Sequence, residues 1–176
     1  GTTLSWTLDA DAGRATNQHG HTVALQPFMG VLGMPPAAPG RYSTVPPRVT
    51  GGNIDCKELI AGTTLFLPVA AQGALFSVGD GHGRQGDGEV SVTAIECAME
   101  RVALRFELLP ELQVTTPRAR TAEGWLTFGF DPDLNQAALL ALEAMVDLIA
   151  DQYAADRATA LGLASVVVDL RITQIV

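Results

Sequence analysis

Acidic residues and one histidine crowd a glycine-rich stretch of the chain between Gly51 and Glu96. Carboxylates and imidazole are ligands for hard and borderline divalent metals, and both also carry protons during hydrolysis. Glycine lets the backbone approach a ligand closely, so this composition favours a binding or catalytic segment over a purely structural one. The residues that could do this chemistry are Asp55, Asp80, His82, Asp87, Glu89 and Glu96.

The densest part of this stretch reads GDGHGRQGDGE and ends at Glu89. One glycine separates Asp80 from His82, and the same spacing separates Asp87 from Glu89, so two pairs could meet across the mouth of a hairpin. Such ligands with a water molecule would suit zinc at an open catalytic site, whereas an all-carboxylate subset would suit calcium or magnesium. Glu89 is the carboxylate predicted to move a proton between water and a leaving group. The alternative is a polar turn whose acids are only solvated.

A second candidate is the turn GGNID, which contains Asn53 and Asp55. Gly-Gly-Asn permits a tight turn with positive φ. Either residue could be a metal ligand or a group that recognises a carboxamide in the same cleft. The plainer interpretation is an Asx-type turn that precedes a strand.

Short β-branched or aromatic runs, bounded by glycine, proline or charge, predict strands between residues 63 and 130. Alternation of apolar and polar residues is clearest in the third and fourth runs and is typical of half-buried antiparallel strands. Residues 1–50 are predicted to be a loop-rich connection, because their prolines and glycines prevent a persistent helix. The predicted strand runs are TLFLPV, ALFSV, EVSVTAIE, RVALRFEL and GWLTFGF.

The last part of the chain predicts a helical hairpin. Asp131 and Pro132 have the types preferred at an N-cap and a first helical position. A second helix is predicted from Asp156 to about Val167, followed by a strand in DLRITQIV. One domain, 1–176, is therefore expected, with a β core at 51–130 and the helical hairpin with the last strand at 131–176. The predicted class is α+β, mainly an antiparallel β-sandwich or barrel beside the hairpin.

Charge and composition exclude several classes of function. The net charge of −8 argues against a nucleic-acid partner, since phosphate binding needs clustered Lys and Arg. No window has the roughly 18 uninterrupted apolar residues of a membrane helix. Cys56 and Cys97 form no C-x-x-C motif, and reduced thiols in the cytoplasm are the default expectation. Cys56 itself is expected to be a buried structural thiol.

The same motifs, in order, resemble the acetamidase/formamidase family. GGNIDCKEL, AGTTLFLPV and GALFSVGDGHGRQGDGEVSVTAIE carry the resemblance, which extends upstream into the proline-rich run and downstream into the helices. It implies hydrolysis of acetamide or formamide to the carboxylate and ammonia. It also implies a jelly-roll-like β-sandwich, a divalent metal (zinc first, calcium second) and a homodimer or higher homo-oligomer.

The resemblance also implies roles for individual residues. Asp55, Asp80 and His82 are expected to hold the metal, and Glu89 is expected to act as base and then acid, with Asp87 as a second catalytic residue. Asn53 and Gln85 are expected to contact the substrate.

The chain departs from the family pattern in three respects. It is short and resembles only the C-terminal portion of family members. Thr50 stands where the family often has histidine, and Arg84 places a bulky cation beside the expected cleft. Two alternatives to a full enzyme therefore remain: a non-catalytic metal- or ligand-binding β domain, and a truncated, divergent member without full activity.

Overall fold

The computed structural model describes residues 1–175 as three small antiparallel sheets followed by two helices. The first sheet has the order β1-β2-β3, the second β5-β4-β7 and the third β6-β8-β9. The α+β class, the antiparallel pairing and the helical hairpin are thereby confirmed, but the sheets do not close into a jelly roll within residues 1–175. The elements are β1 (Trp6–Asp9), β2 (Arg14–Asn17), β3 (Thr22–Ala24), β4 (Phe28–Gly33), β5 (Gly51–Asn53), β6 (Thr64–Phe66), β7 (Ser77–His82), β8 (Arg118–Arg120), β9 (Trp125–Thr127), α1 (Leu134–Tyr153) and α2 (Arg157–Val167).

The second sheet positions the residues of the glycine-rich stretch. β4 is its central strand and pairs with β5 on one side and with β7 on the other. Phe28 lies opposite His82 in the register, and the two rings meet edge to face with centroids 5.1 Å apart. Gly33 is required where β4 meets β5, since a Cβ there would overlap the backbone of Gly52. β5 and β7 therefore flank the same strand, and their ends lie on either side of β4.

Two apolar clusters hold the elements together. The larger one joins the second and third sheets and contains Leu32, Ile54, Cys56, Leu59, Ala119 and Phe128. The smaller one lies between the helices and contains Val146, Ile149, Ala160 and Ala164. Small alanines on α2 let it pack closely against α1, so the predicted helical hairpin is a packed unit.

The first 50 residues contain more regular structure than the sequence predicted. β1 to β4 all lie before residue 34, and only the proline-rich part that follows is without a strand. The prediction of a loop-rich connection is therefore wrong for residues 6–33. Its basis was the proline-rich run, whereas β1 to β3 are short strands stabilised by pairing with one another.

Two predicted strands, EVSVTAIE and RVALRFEL, are absent from the structure. Glu89 and Val92 have positive φ, at 41° and 70°, which bends the first run into turns. The second run is exposed along its whole length, and within residues 1–175 no backbone hydrogen bond joins 101–108 to another segment. Alternation shows that a run would fit a half-buried sheet surface, but a strand also needs a backbone partner.

The helix boundaries correct one prediction and confirm another. α1 is capped by Asp133, whose carboxylate accepts the N–H of Asn135 at 2.8 Å, and not by Asp131. Asp131 accepts the N–H of Asp133 instead, so Asp131 and Pro132 form a turn ahead of the helix. Asp156 caps α2 as predicted.

The chain end also differs from its prediction. The run DLRITQIV is not a strand over residues 169–175, where only a single bridge joins Gln174 to Gly88; Val176 lies outside the described residues. No helix within residues 1–175 is long and apolar enough to cross a membrane.

Two glycine substitutions test how α1 is attached to the sheets. A Cβ on Gly129 would overlap the carbonyl of Ala137 and lie 2.7 Å from the amide nitrogen of Ala141, and backbone atoms cannot move aside cheaply. Gly129→Ala should therefore lower the free energy of unfolding by about 1–3 kcal/mol. Gly162→Ala is the matched control, because that position in α2 is open. It should stabilise the protein by up to about 1 kcal/mol, since alanine is the better helix former. Urea unfolding of both variants measures the difference, and equal effects would contradict this packing.

Candidate metal centre

Four carboxylates and one imidazole line a single pocket of about 170 Å³ at the ends of β5 and β7. Asp55 follows β5, Asp80 and His82 belong to β7, and the remaining two acids come from the segment that follows β7. These pocket-lining residues are Asp55, Asp80, His82, Glu89 and Glu96. The structure thus brings together the predicted metal residues, the predicted base Glu89 and one further acid.

His82 is the centre of the group and is 1% exposed. Its Nε2 lies 3.3 Å from Asp80 Oδ2 and 3.2 Å from Glu96 Oε2. Glu96 faces His82 because Cys97 donates its N–H to Gly81, and Gly83 donates to Ile95, which fixes the 95–97 segment along β7. The backbone therefore places two carboxylate oxygens at one imidazole nitrogen.

Asp55 and Glu89 form the buried side of the group. Burial is the largest cause that raises the pKa of Asp55 to about 7, and the neighbouring Glu89 is the next. Burial likewise raises the pKa of Glu89, against the opposing effect of His82. Asp55 Oδ1 is buried without a hydrogen-bond partner in the described structure. A cation beside such buried carboxylates would favour their charged form and so oppose both effects.

Backbone strain is concentrated at the same residues. Asp55, Asp80 and Glu89 have φ values of 50°, 63° and 41°. Residues other than glycine adopt this left-handed region at a cost of about 1–3 kcal/mol each, and such residues cluster at functional sites. Strain at three of the five titratable residues that line the pocket supports a functional role for the group.

Gly30 leaves room for the carboxylates on the β4 side. A Cβ at this position would overlap Asp55 Oδ1 and lie 2.7 Å from Asp80 Oδ2. Because Gly30 has no side chain, the carboxylates of Asp55 and Asp80 can both lie against β4 at this position.

The group fits a divalent cation. Two overlapping sets, Asp55–His82–Glu89 and Asp80–His82–Glu96, each offer ligand atoms within 4.8 Å of one another. Ligands bound to zinc at about 2.0–2.2 Å in a tetrahedron are about 3.4 Å apart, close to the separations at His82 Nε2. Imidazole with carboxylates is a donor set used by zinc, and carboxylates alone are used by calcium.

Three predicted site residues have other surroundings. Asp87 is exposed and pairs with Lys57 at 2.7 Å, away from the pocket-lining residues, so the structure does not place it as a catalytic group. Asn53 lines the pocket, but its amide donates to the carbonyl of Val45 at 3.0 Å. Gln85 is buried and contacts the His82 ring instead of lining the pocket.

The departures from the family pattern lie outside the pocket lining. Arg84 is exposed, does not line the pocket and reaches Gln26. Thr50 is buried and donates its hydroxyl to the carbonyl of Met34. Cys56 is buried as predicted, and burial raises the pKa of its thiol to about 12.

The sequence placed Glu96 among the candidate acids without giving it a role, and it did not indicate Gly30 or Gln174 as parts of the site. Glu96 belonged to the crowd of acids, but its predicted strand gave no reason to pair it with His82. Gln174 lines the pocket and donates to the carbonyl of Asn53 at 2.7 Å across more than half the chain. Contacts so distant in sequence leave no local pattern.

Comparison with known proteins decides the family. Residues 22–176 match the Acetamidase/Formamidase family. The chain belongs to this family. An acetamidase from Mycolicibacterium smegmatis is 52% identical over 48 residues, which are 27% of this chain and 12% of that protein. A formamidase from Methylophilus methylotrophus is 48% identical over 56 residues, which are 31% of this chain and 14% of that protein.

Solved acetamidases share the fold over almost the whole chain. The acetamidase from Yersinia enterocolitica superposes with a TM-score of 0.85 at 25% identity, covering 97% of this chain and 50% of that one. The acetamidase from Bacillus halodurans gives a TM-score of 0.76 at 26% identity, covering 93% and 55%. The chain therefore spans about half the length of these family members.

Gly30→Ala should disrupt the carboxylate group without unfolding the sheet. The new Cβ meets the ends of Asp55 and Asp80, which can swing away, so the acids lose their positions while β4 keeps its pairing. We expect zinc affinity, measured by calorimetric titration, to fall about 10–100-fold with little change in thermal stability. Gly79→Ala is the control, since that β7 position is open. Unchanged affinity in Gly30→Ala would show that the carboxylates do not hold the metal.

Proposed function

We propose that this protein is a metal-dependent hydrolase that converts short linear carboxamides, such as acetamide and formamide, to the carboxylate and ammonia. Membership of the family supports the reaction class. The observation that carries the proposal is the buried His82, whose Nε2 faces Asp80 and Glu96 inside a small acidic pocket. The jelly-roll-like sandwich and the single domain implied by the sequence stay predictions.

His82, Asp80 and Asp55 are the proposed metal residues, with Glu96 added from the geometry. The mixed imidazole and carboxylate donors favour zinc, and calcium is the second candidate. Such a cation, when bound, lowers the pKa of coordinated water and polarises a carbonyl.

Glu89 is the proposed proton carrier. It is buried beside the ligand group, and burial raises its pKa, which suits a carboxylate that must both accept and release a proton. As the oxygen of water bonds to the amide carbon, Glu89 takes a proton from that water. It then gives the proton to the nitrogen as the C–N bond breaks, so ammonia leaves and the acid remains.

The pocket suits a small substrate. Its volume of about 170 Å³ is well below the roughly 300–1,000 Å³ of pockets for drug-sized ligands. Val45 and Val92 supply apolar lining that could contact a methyl group, and Asn53 lines the same pocket. Gln85, the other residue implied to bind substrate, is buried outside the lining and is given a different role below.

Ammonia release from acetamide and formamide by the zinc-loaded protein tests the proposal. Glu89→Gln should lower kcat by about 10²–10⁴-fold, because it removes the proton carrier. Zinc affinity should change less in this variant than in His82→Ala. Asp87→Asn is the matched control and should keep most of the activity, since Asp87 pairs with Lys57 at the surface.

A non-catalytic binding domain, or a divergent member without full activity, is the competing function. It is favoured by the length of the chain, about half that of the solved acetamidases. Stoichiometric zinc binding without turnover of any short amide, even at high protein concentration, would contradict the enzyme proposal and leave this one.

We further propose that the protein forms a homodimer through segment 101–108. This segment exposes a row of apolar side chains, and its backbone has no hydrogen-bond partner in another segment of residues 1–175, so it is a template for another strand. In an antiparallel pair centred on Leu104, Arg101 of each copy lies opposite Glu107 of the other. Two-fold symmetry forms this ion pair twice, once at each end of the paired segments, so the surface is complementary to itself. The exposed apolar residues are Val102, Leu104, Phe106 and Leu108.

A charge swap tests this register. Arg101→Glu or Glu107→Arg alone should place like charges opposite one another and weaken the dimer, whereas the double variant should restore it. Arg105→Glu is the control, since it lies opposite Ala103. Sedimentation velocity reports the outcome. A monomer at all concentrations, as expected if the segment instead contacts the other half of the acetamidase fold, would contradict the proposal.

A cytoplasmic location is proposed on the basis of the thiols. Cys56 and Cys97 are both free, as is usual in a reducing compartment. The small amide is the only partner proposed besides a second copy of the chain.

A further inference from the structure

The two possible ligand sets share the imidazole of His82. Which of its two ring nitrogens carries the hydrogen therefore decides which nitrogen can bind a cation. The Nε2 side faces Asp80 and Glu96 at hydrogen-bond or ligand separations. The Nδ1 side lies 2.9 Å from Gln85 Oε1 and 3.9 Å from Asp55 Oδ1. A neutral imidazole can bind a cation through only the nitrogen that lacks a hydrogen.

Gln85 fixes which nitrogen that is. Its amide nitrogen donates to the backbone carbonyl of Asp55 at 2.7 Å and to that of Thr173 at 3.3 Å. The reversed amide would place Oε1 against two carbonyl oxygens, which cannot donate. Oε1 therefore faces the ring, and His82 Nδ1 must carry the hydrogen that it accepts.

We propose that Gln85 is a positioning residue that holds His82 in the Nδ1–H form and directs its bare Nε2 toward Asp80 and Glu96. This inference rests on the proposed metal-dependent function, and it identifies Nε2 of His82 as the ring atom that would bind the metal. His82 Nε2 would then hold a cation together with the other proposed metal residues, Asp80, Asp55 and Glu96. Glu89 is left for proton transfer.

The buried position of Gln85 holds the His82 ring in one orientation. The side chain is buried, and its three hydrogen bonds connect β7, the turn after β5 and the chain end. Residues that accept the second N–H of a metal-binding histidine orient the ring and raise its basicity. The orientation of the His82 ring therefore depends on contacts from three separate segments of the chain.

Nitrogen-15 NMR of the imidazole tests the inference directly. The chain has three histidines, so His19→Gln with His21→Gln leaves only His82 visible. We expect Nδ1 to carry the hydrogen both with and without zinc, and zinc to shift the Nε2 signal. A bare Nδ1, or a zinc shift at Nδ1, would overturn the inference. Because the metal-free spectrum already reports the hydrogen on Nδ1, failure to bind zinc would count against the proposed function and not against Gln85.

Two variants separate positioning from simple packing. Gln85→Met keeps the size but removes the acceptor, so Nδ1–H should no longer be fixed and zinc affinity should fall about 10–100-fold. Gln85→Glu keeps an acceptor oxygen and should retain the Nδ1–H form, even if the loss of its donors lowers stability. Gln26→Met is the surface control and should change neither property. Loss of affinity in Gln85→Met with an unchanged NMR spectrum would show a packing role and overturn the proposal, and if this variant does not fold, the wild-type and Gln85→Glu spectra decide it.

Discussion

Several carboxylates gathered around one buried imidazole form the constraint on which the rest of the structure depends. Asp55 and Glu89 are buried close together, so they lose hydration and repel one another, as the raised pKa of Asp55 reflects. His82 alone cannot balance them, since at most one positive charge is available from its ring. A divalent cation would balance the group, and three of its four acids, Asp55, Asp80 and Glu89, have strained backbone conformations.

The second sheet leaves space for the carboxylates and fixes the strands that carry them. β4 contributes Gly30, which leaves space under the acids, and Phe28, which packs on the edge of the imidazole. β5 and β7 then place their ends on either side of the same strand. Gln85 joins this framework to the chain end at Thr173. The local cost of strain and burial is thus offset by a sheet and hydrogen-bond network that leave few alternatives to the observed geometry.

Much of the candidate site could be predicted from the sequence because its residues lie close together in the chain. One glycine separates Asp80 from His82, so the sequence indicated that both could enter one pocket, and the glycines indicated close backbone approach. The helix cap at Asp156 was found for the same reason. The extension of β7 through Asp80 and His82 was not predicted. Asp87 looked equivalent to Glu89 by spacing, but the positive φ at Glu89 and the ion pair with Lys57 send the two side chains to different places.

What could not be predicted depends on distant parts of the chain. Glu96 and Gln174 reach the pocket only after the 95–97 segment pairs with β7 and the chain end returns to β5. The run 101–108 has the alternation of a strand, yet it finds no backbone partner within residues 1–175. Periodicity records which face a strand would bury and not whether a neighbour exists to bury it.

We expect a cation to be held at Nε2 of His82 among the acids of this pocket. Anomalous scattering at the zinc edge, from crystals grown with zinc, locates the metal and its ligands in one measurement. A single strong peak is expected within coordination distance of His82 Nε2 and of carboxylate oxygens from the proposed ligands Asp80, Asp55 and Glu96. A peak at the exposed pair His19 and His21, or no peak in the pocket despite bound zinc elsewhere, would contradict it.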